Sequence, residues 1–308
     1  MKKILSLLTV LATSVLFGTT YVNIGTGGTA GTYYPLGGAF AEIWNNNISG
    51  VNATAESTGA SVANVNMMQN GDLEVAIIQN DVASYAEQGI ILFEAKADTV
   101  KGMASLYEEP LQCITTDPNI KTIADLKGKN VAVGAIGSGT NANVNQILEA
   151  AGIGAGDYRP QHLSFAEAAN GLRDGQVDAA FIVAGVPTSA VIDLATQKDV
   201  RVVAIDGELA AKLKEQYSYF TDYKIDGGTY STQTDDVMTL TVQSMLVVSS
   251  TVSEDMVYEM LKTLFENTDR IKAAHSVGAS ITAETALEGM SVELHPGAKK
   301  YFDEKGIN

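Results

Sequence analysis

The stretch Tyr21-Val-Asn-Ile-Gly25-Thr-Gly-Gly-Thr-Ala-Gly31-Thr-Tyr-Tyr-Pro-Leu36 decides the fold, and a counterpart stands at Val131-Ala-Val-Gly-Ala-Ile-Gly137-Ser-Gly-Thr140-Asn141. Each begins as a short apolar strand, turns through Gly, Ser and Thr, and enters a helical pattern. The first pattern runs through Trp44 and the second through Ala151. Neither helix start has a carboxylate in its first turn. A helix start presents unpaired N–H groups and about half a positive charge. Glycines let an anion approach that backbone closely, and hydroxyls add donors. Two such nests, about a hundred residues apart, predict two lobes gripping one small anion in the cleft between them.

Outward from the nests, apolar strands alternate with helical patterns, which predicts an α/β chain with mostly parallel sheets. Strands are expected at 22–24, 51–56, 75–78, 131–133, 161–163, 179–183 and 201–205. Helices are expected at 35–45, 61–69, 82–88, 143–150, from Phe165 to Asp174-Gly175, at 190–196 and at 254–269, with 301–305 in a short tail. A short helix and turn at 123–130 opens the second lobe. Extended runs at 103–107 and 111–115 are separated by Glu108-Glu109-Pro110, which reads as a passage between lobes. The apolar run 240–248 is long enough to return the chain. Two crossings divide it into a discontinuous lobe I, 21–109 plus 241–308, and a continuous lobe II, 110–240. The lobes read as loose copies of one arrangement.

Composition narrows the functions. The chain has 308 residues, 45% of them hydrophobic and 18% charged, so a large core is expected and disorder is not. A net charge of −16 argues against nucleic acid, whose binding needs clustered Lys and Arg. Any anion must then be held by local dipoles. Residues 1–20 combine a basic start, an apolar stretch and small residues, the pattern of a signal peptide cleaved near Gly18 or Thr20. An uncleaved anchor is the alternative reading. The mature protein is expected outside the cytoplasm, periplasmic where there is a periplasm. Cys113 is the single cysteine, and His162, His275 and His295 are far apart, so no disulfide, metal set or triad is expected.

Several motifs admit two readings. Gly25-x-Gly27-x-x-Ala30 meets the dinucleotide fingerprint formally, but Tyr33, Tyr34 and Pro35 crowd the helix start. Those glycines either make a tight turn or form an anion nest. Gly137-Ser138-Gly139-Thr140 lacks the Lys of a phosphate loop and the spacing of a nucleophile elbow. Thr140 alone reads as a helix N-cap, whereas paired with the first nest Ser138 and Thr140 read as ligand donors. Gln79 and Asp81 close a buried strand facing the ligand crevice. Asp81 either caps the helix that starts at Val82 or accepts a ligand ammonium group. Gly185-Val-Pro187 is ordinary helix-start structure or a backbone contact to ligand. Glu108-Glu109 and Asp235-Asp236 read as solvated loop charge.

At these residues the chain resembles the TAXI family of extracytoplasmic solute-binding proteins, which serve TRAP transporters. The resemblance rests on 25–38, on Asp125-Leu-Lys-Gly-Lys129 leading to Gly134-Ala-Ile-Gly-Ser-Gly-Thr140, on Gly185-Val-Pro187 and on Leu246-Val-Val248. It implies a two-lobed, type II periplasmic binding protein-like fold, a hinge, no catalytic activity and no cofactor. It also implies a small organic anion as ligand: glutamate, glutamine or a four- or five-carbon dicarboxylate. Carried over by position, the contacts are Gly28, Thr29, Thr32, Tyr33, Tyr34, Gln79, Ser138, Gly139, Thr140, Gly185 and Pro187. Gly31 departs from the family pattern, where another small residue is frequent. The implied partner is a TRAP membrane permease, and the chain is expected to be a monomer. An exported enzyme, a surface antigen and a chemoreceptor ligand-binding protein are the rival classes.

Overall fold

The structure, a computed structural model, describes residues 19–307. The expected signal segment lies outside the described residues except for Thr19 and Thr20, and Thr20 opens the first strand. In chain order the elements are β1 (Thr20–Gly25), α1 (Tyr33–Asn47), β2 (Val51–Glu56), α2 (Ser61–Asn70), β3 (Val75–Gln79) and α3 (Asn80–Gln88). The long strand β4 (Val100–Thr115) follows, then β5 (Asn130–Ala132), α4 (Gly139–Ala150), β6 (Arg159–Gln161), α5 (Phe165–Arg173), β7 (Ala179–Val183) and α6 (Ser189–Ala195). Then come β8 (Arg201–Val203), α7 (Gly207–Gln216), β9 (Thr221–Ile225) and β10 (Val237–Ser249). Helices α8 (Glu254–Glu266), α9 (Thr268–Ala274) and α10 (Pro296–Lys305) close the chain.

The strands make one curled sheet in the order β2-β1-β3-β10-β4-β7-β5-β6, with β8 on β4 and β9 on β10. The two ends repeat one plan. In the first half β2, β1 and β3 run parallel and β10 lies antiparallel beside β3. In the second, β6, β5 and β7 run parallel and β4 lies antiparallel beside β7. Each half carries apolar packing on both sheet faces. Trp44, Phe40 and Phe302 anchor one cluster of the first half and Met68 and Tyr85 the other. Phe181 and Leu213 anchor one cluster of the second half and Ile182 and Tyr230 the other. The α/β expectation and the likeness of the halves are therefore visible as topology.

Three readings are corrected. The Glu108-Glu109-Pro110 interruption is no break, because β4 runs through it: residues up to Pro110 pair with β10, and Leu111 to Thr115 pair with β7. Alternation explains how two carboxylates fit, since Glu108 faces out and Glu109 in. Pro110, which has no N–H to give, falls where the pairing changes partners. The single helix expected at 254–269 is two, parted at Asn267. The expected tail is α10, with Pro296 in its first turn and Gly306 left-handed at φ 69° just past its end. Helix α7 and strand β9 were not expected.

Candidate functional site

Four helix starts converge on one cavity of about 90 Å³ between the halves. Gly27, Gly28, Gly31, Thr32 and Tyr33 come from the α1 start, and Thr58 through Ser61 from the α2 start. Ala135, Ser138, Gly139 and Thr140 come from the α4 start, and Ser164 and Phe165 from the α5 start. Gln79 at the end of β3, Glu109 of β4, and Val183 and Ala184 at the end of β7 complete the wall. A water needs about 10–15 Å³ of such space, so the cavity has room for a small ligand. These helices begin here because each follows a strand at the same edge of its half-sheet, where an open α/β sheet forms its crevice.

Among the described residues no Lys, Arg or His lines the cavity. The donors it could offer an anion are peptide N–H groups, hydroxyls and the Gln79 amide. Helices α1, α2 and α4 have no acidic residue in the first turn. In α5 the first-turn Glu167 is drawn back into a capping box, its carboxylate accepting from the Ser164 N–H at 2.9 Å and Oγ at 2.7 Å. Thr140, 4% exposed, stands in the wall. Ser138 is the N-cap of α4: its Oγ accepts from Asn141 N–H at 3.1 Å and donates to the Ala135 carbonyl at 2.7 Å. Thr140 is inside the first turn, so the cap reading belongs to Ser138.

Of the expected contacts, Gly28, Thr32, Tyr33, Gln79, Ser138, Gly139 and Thr140 meet at the cavity. Thr29 is exposed and Tyr34 is 37% exposed, and neither lines it. Gly185 and Pro187 lie behind the wall; a Cβ at Gly185 would stand 3.0 Å from Tyr107 and 3.2 Å from Thr32. Asp81 is also behind the wall. Its Oδ2 accepts from Asn143 Nδ2 at 2.7 Å across the halves, and burial pushes its carboxyl up to about 6. Gln79 holds the N-cap position of α3 and Asp81 its first turn, so the cap reading does not belong to Asp81, and the cavity wall does not include it.

The carboxylate in the wall is Glu109, read from sequence as solvated loop charge and in fact 1% exposed. Tyr33 donates its hydroxyl to Glu109 Oε2 at 2.8 Å, and Tyr107 donates to Oε1 at 3.2 Å. Burial outweighs both hydrogen bonds and raises the carboxyl to about 8. Sequence reasoning placed the α2 and α5 starts but did not assign them to the site. Thr58-Gly59-Ala60-Ser61 after β2 is a strand–glycine–helix junction like the two that were noticed.

The halves touch around the cavity. Val62 and Ala63 N–H of α2 donate to the Gly137 carbonyl at 3.0 and 3.1 Å. Gln146 of α4 donates to Tyr85 and to Tyr219 at 2.7 and 2.8 Å. The tightest fit is Gly139, where a Cβ would fall 1.6 Å from Gln79 Oε1.

Residues 24–306 match the model of the NMT1-like family, and the chain belongs to that family. A putative L-cystine ABC transporter from Listeria monocytogenes superposes with a TM-score of 0.53 at 14% identity, over 86% of this chain and 98% of that one. A protein of Bordetella bronchiseptica RB50 does so at 0.53 and 17%, over 93% and 98%. An ancestral arginine-binding protein bound to arginine gives 0.50 and 17%, over 82% and 96%. At such identities the likeness establishes a shared periplasmic binding protein-like fold. No described helix is long and apolar enough to cross a membrane.

Proposed function

We propose that this NMT1-like chain is an extracytoplasmic solute-binding protein that holds one small organic anion and performs no chemistry on it. The observation that carries this reading is the convergence of four helix starts on one buried cavity without a cationic side chain. Fixed N–H dipoles in a water-poor site hold an anion without the desolvation that a buried Arg would require. Glutamate or a related amino acid or dicarboxylate leads the candidates, on the resemblance of the nests to TAXI proteins. That resemblance also supports a TRAP-type permease as partner. The Listeria neighbour's description as a putative L-cystine ABC transporter makes an ABC-type permease the second possibility. Lobe I (21–109 and 241–308) and lobe II (110–240) would close on the ligand by bending near 108–111 and Leu240.

Calorimetric titration with L-glutamate tests the site. Thr140→Ala removes a charge-assisted hydrogen bond, so the dissociation constant should rise about tenfold to a hundredfold. Unchanged affinity in a folded variant would refute the role given to Thr140. With neutral donors, affinity should vary little with salt.

A further inference from the structure

The cavity is not uniformly a donor surface. Glu109 sits in its wall on β4, and the Tyr33 and Tyr107 hydroxyls each occupy one lone pair on a different carboxyl oxygen. The second lone pair of each oxygen has no partner among the described residues. The same wall holds Gln79, whose Oε1 is buried and unpartnered. Gly139 and Thr140 of the α4 start share this wall, with Gly139 packed directly against the Gln79 amide. The wall thus offers a ligand acceptors, on Glu109 and Gln79, as well as the donors of the helix starts. The titratable groups around Glu109 are Tyr33 on α1, Tyr107 on its own strand and Asp81 on α3, none of which can be a cation. On the neighbouring strand β10 it pairs with Val242. With no cation beside it the buried carboxyl takes up a proton instead of staying charged, and a ligand cation at that wall would take the proton's place.

We propose that Glu109 is the acceptor for a ligand ammonium group, so that the cavity selects a zwitterionic amino acid over the acid that lacks the amine. The inference rests on the reading of the cavity as a small-carboxylate site, and it gives the ligand a second charge and an orientation. The carboxylate lies on the helix starts and the ammonium group on Glu109. In the empty protein burial keeps Glu109 protonated up to about pH 8. Ammonium capture at pH 7 therefore expels that proton to solvent. A dicarboxylate without the amine would expel none.

Matched pairs test this: L-glutamate against 2-oxoglutarate, and L-alanine against pyruvate, each titrated into wild type and Glu109→Gln. Wild type should bind the amino acid of at least one pair tenfold or more tighter than its oxo acid. The variant should lose that preference, the amino acid weakening about thirtyfold and the oxo acid holding or tightening. Equal weakening of both partners would overturn the assignment and leave Glu109 a structural residue. A wild-type preference for the oxo acid would overturn it while leaving the small-carboxylate reading intact, and no binding of any of the four would sink both. A readout on wild type alone guards against a misfolded variant. Titration at pH 7 in buffers of different ionisation heat should show up to one proton released per amino acid bound, and proton uptake or none would contradict the proposal.

Discussion

The two halves share a strand plan but start their helices differently. In the first half neither α1 nor α2 has a side-chain cap: Thr32 Oγ1 is buried without a partner, and Ala60 has no hydroxyl to offer. In the second half both counterparts are capped, α4 by Ser138 and α5 by the Ser164–Glu167 box. The first half therefore keeps helix-start donors open, and two of them, on Val62 and Ala63, are satisfied by the second half's Gly137 carbonyl. In the second half each start holds one of its own N–H groups with its cap, Asn141 in α4 and Glu167 in α5. The difference teaches that the crevice is asymmetric: one side is preorganised by its own caps, and the other is completed by what it meets, whether opposite half or ligand.

Close approach gives the largest expected effect. Both nests press a glycine against the opposite half, but unequally: a Cβ at Gly31 would lie 3.3 Å from Phe165, whereas one at Gly139 would lie 1.6 Å from Gln79 Oε1. Gln79 is 2% exposed, so its amide would have to enter the cavity or push the halves apart. Gly139→Ala should lower ligand affinity more than about a hundredfold, over 2.7 kcal/mol, and Gly31→Ala less than tenfold. Calorimetry on folded variants reads both, and equal losses would erase the asymmetry.

The next effect is in pH. Glu109 holds its proton to about pH 8 in the folded, empty chain, but unfolded it titrates near 4.3. Between these values the folded state binds more protons, so stability should fall as pH rises, by up to about 1.4 kcal/mol per unit for one proton. Asp81, raised to about 6, adds a slope of the same sign at the acid end in wild type and variant alike. Urea unfolding from pH 5 to 8 should show Glu109→Gln gaining on wild type steadily. A constant difference across that range would mean that Glu109 is not buried as described.

Smaller still are the caps. Ser138→Ala should destabilise the chain by about 1 kcal/mol, because Asn141 N–H loses its acceptor. Thr32→Val removes a hydroxyl that has no partner, so its effect on stability should stay within about 0.5 kcal/mol. Thermal unfolding of the two variants side by side sharpens the comparison of the halves, and equal losses would break it.

What the sequence disclosed follows from how local each signal is. Strand β7 is bounded as read, Ala179–Val183, because a short apolar run buried on both faces leaves no ambiguity. Helix α2 stops at a left-handed Gly71, as Asn70-Gly71 announces. The α10 signals, Pro296 and Gly306, were equally local and went unread. Glu109 was illegible for a different reason. Two charges before a proline look like a loop, and only the pairing of β4 with β10 and then β7 makes that segment a strand crossing beside the cavity. The two nests could be seen because each is contiguous. Their meeting with Ser61, Phe165 and Val183 is a product of topology, which places the turns after the parallel strands of each half at one edge.

The most direct test is mass spectrometry of the native chain after incubation with an equimolar mixture of small amino and carboxylic acids, with Gly139→Ala alongside. One acid retained per wild-type chain and released chemically unchanged, with none on Gly139→Ala, is the expected result. Retention of the same acid by Gly139→Ala, release of an altered molecule, or no retention by wild type would contradict a closed anion-binding cavity between the halves.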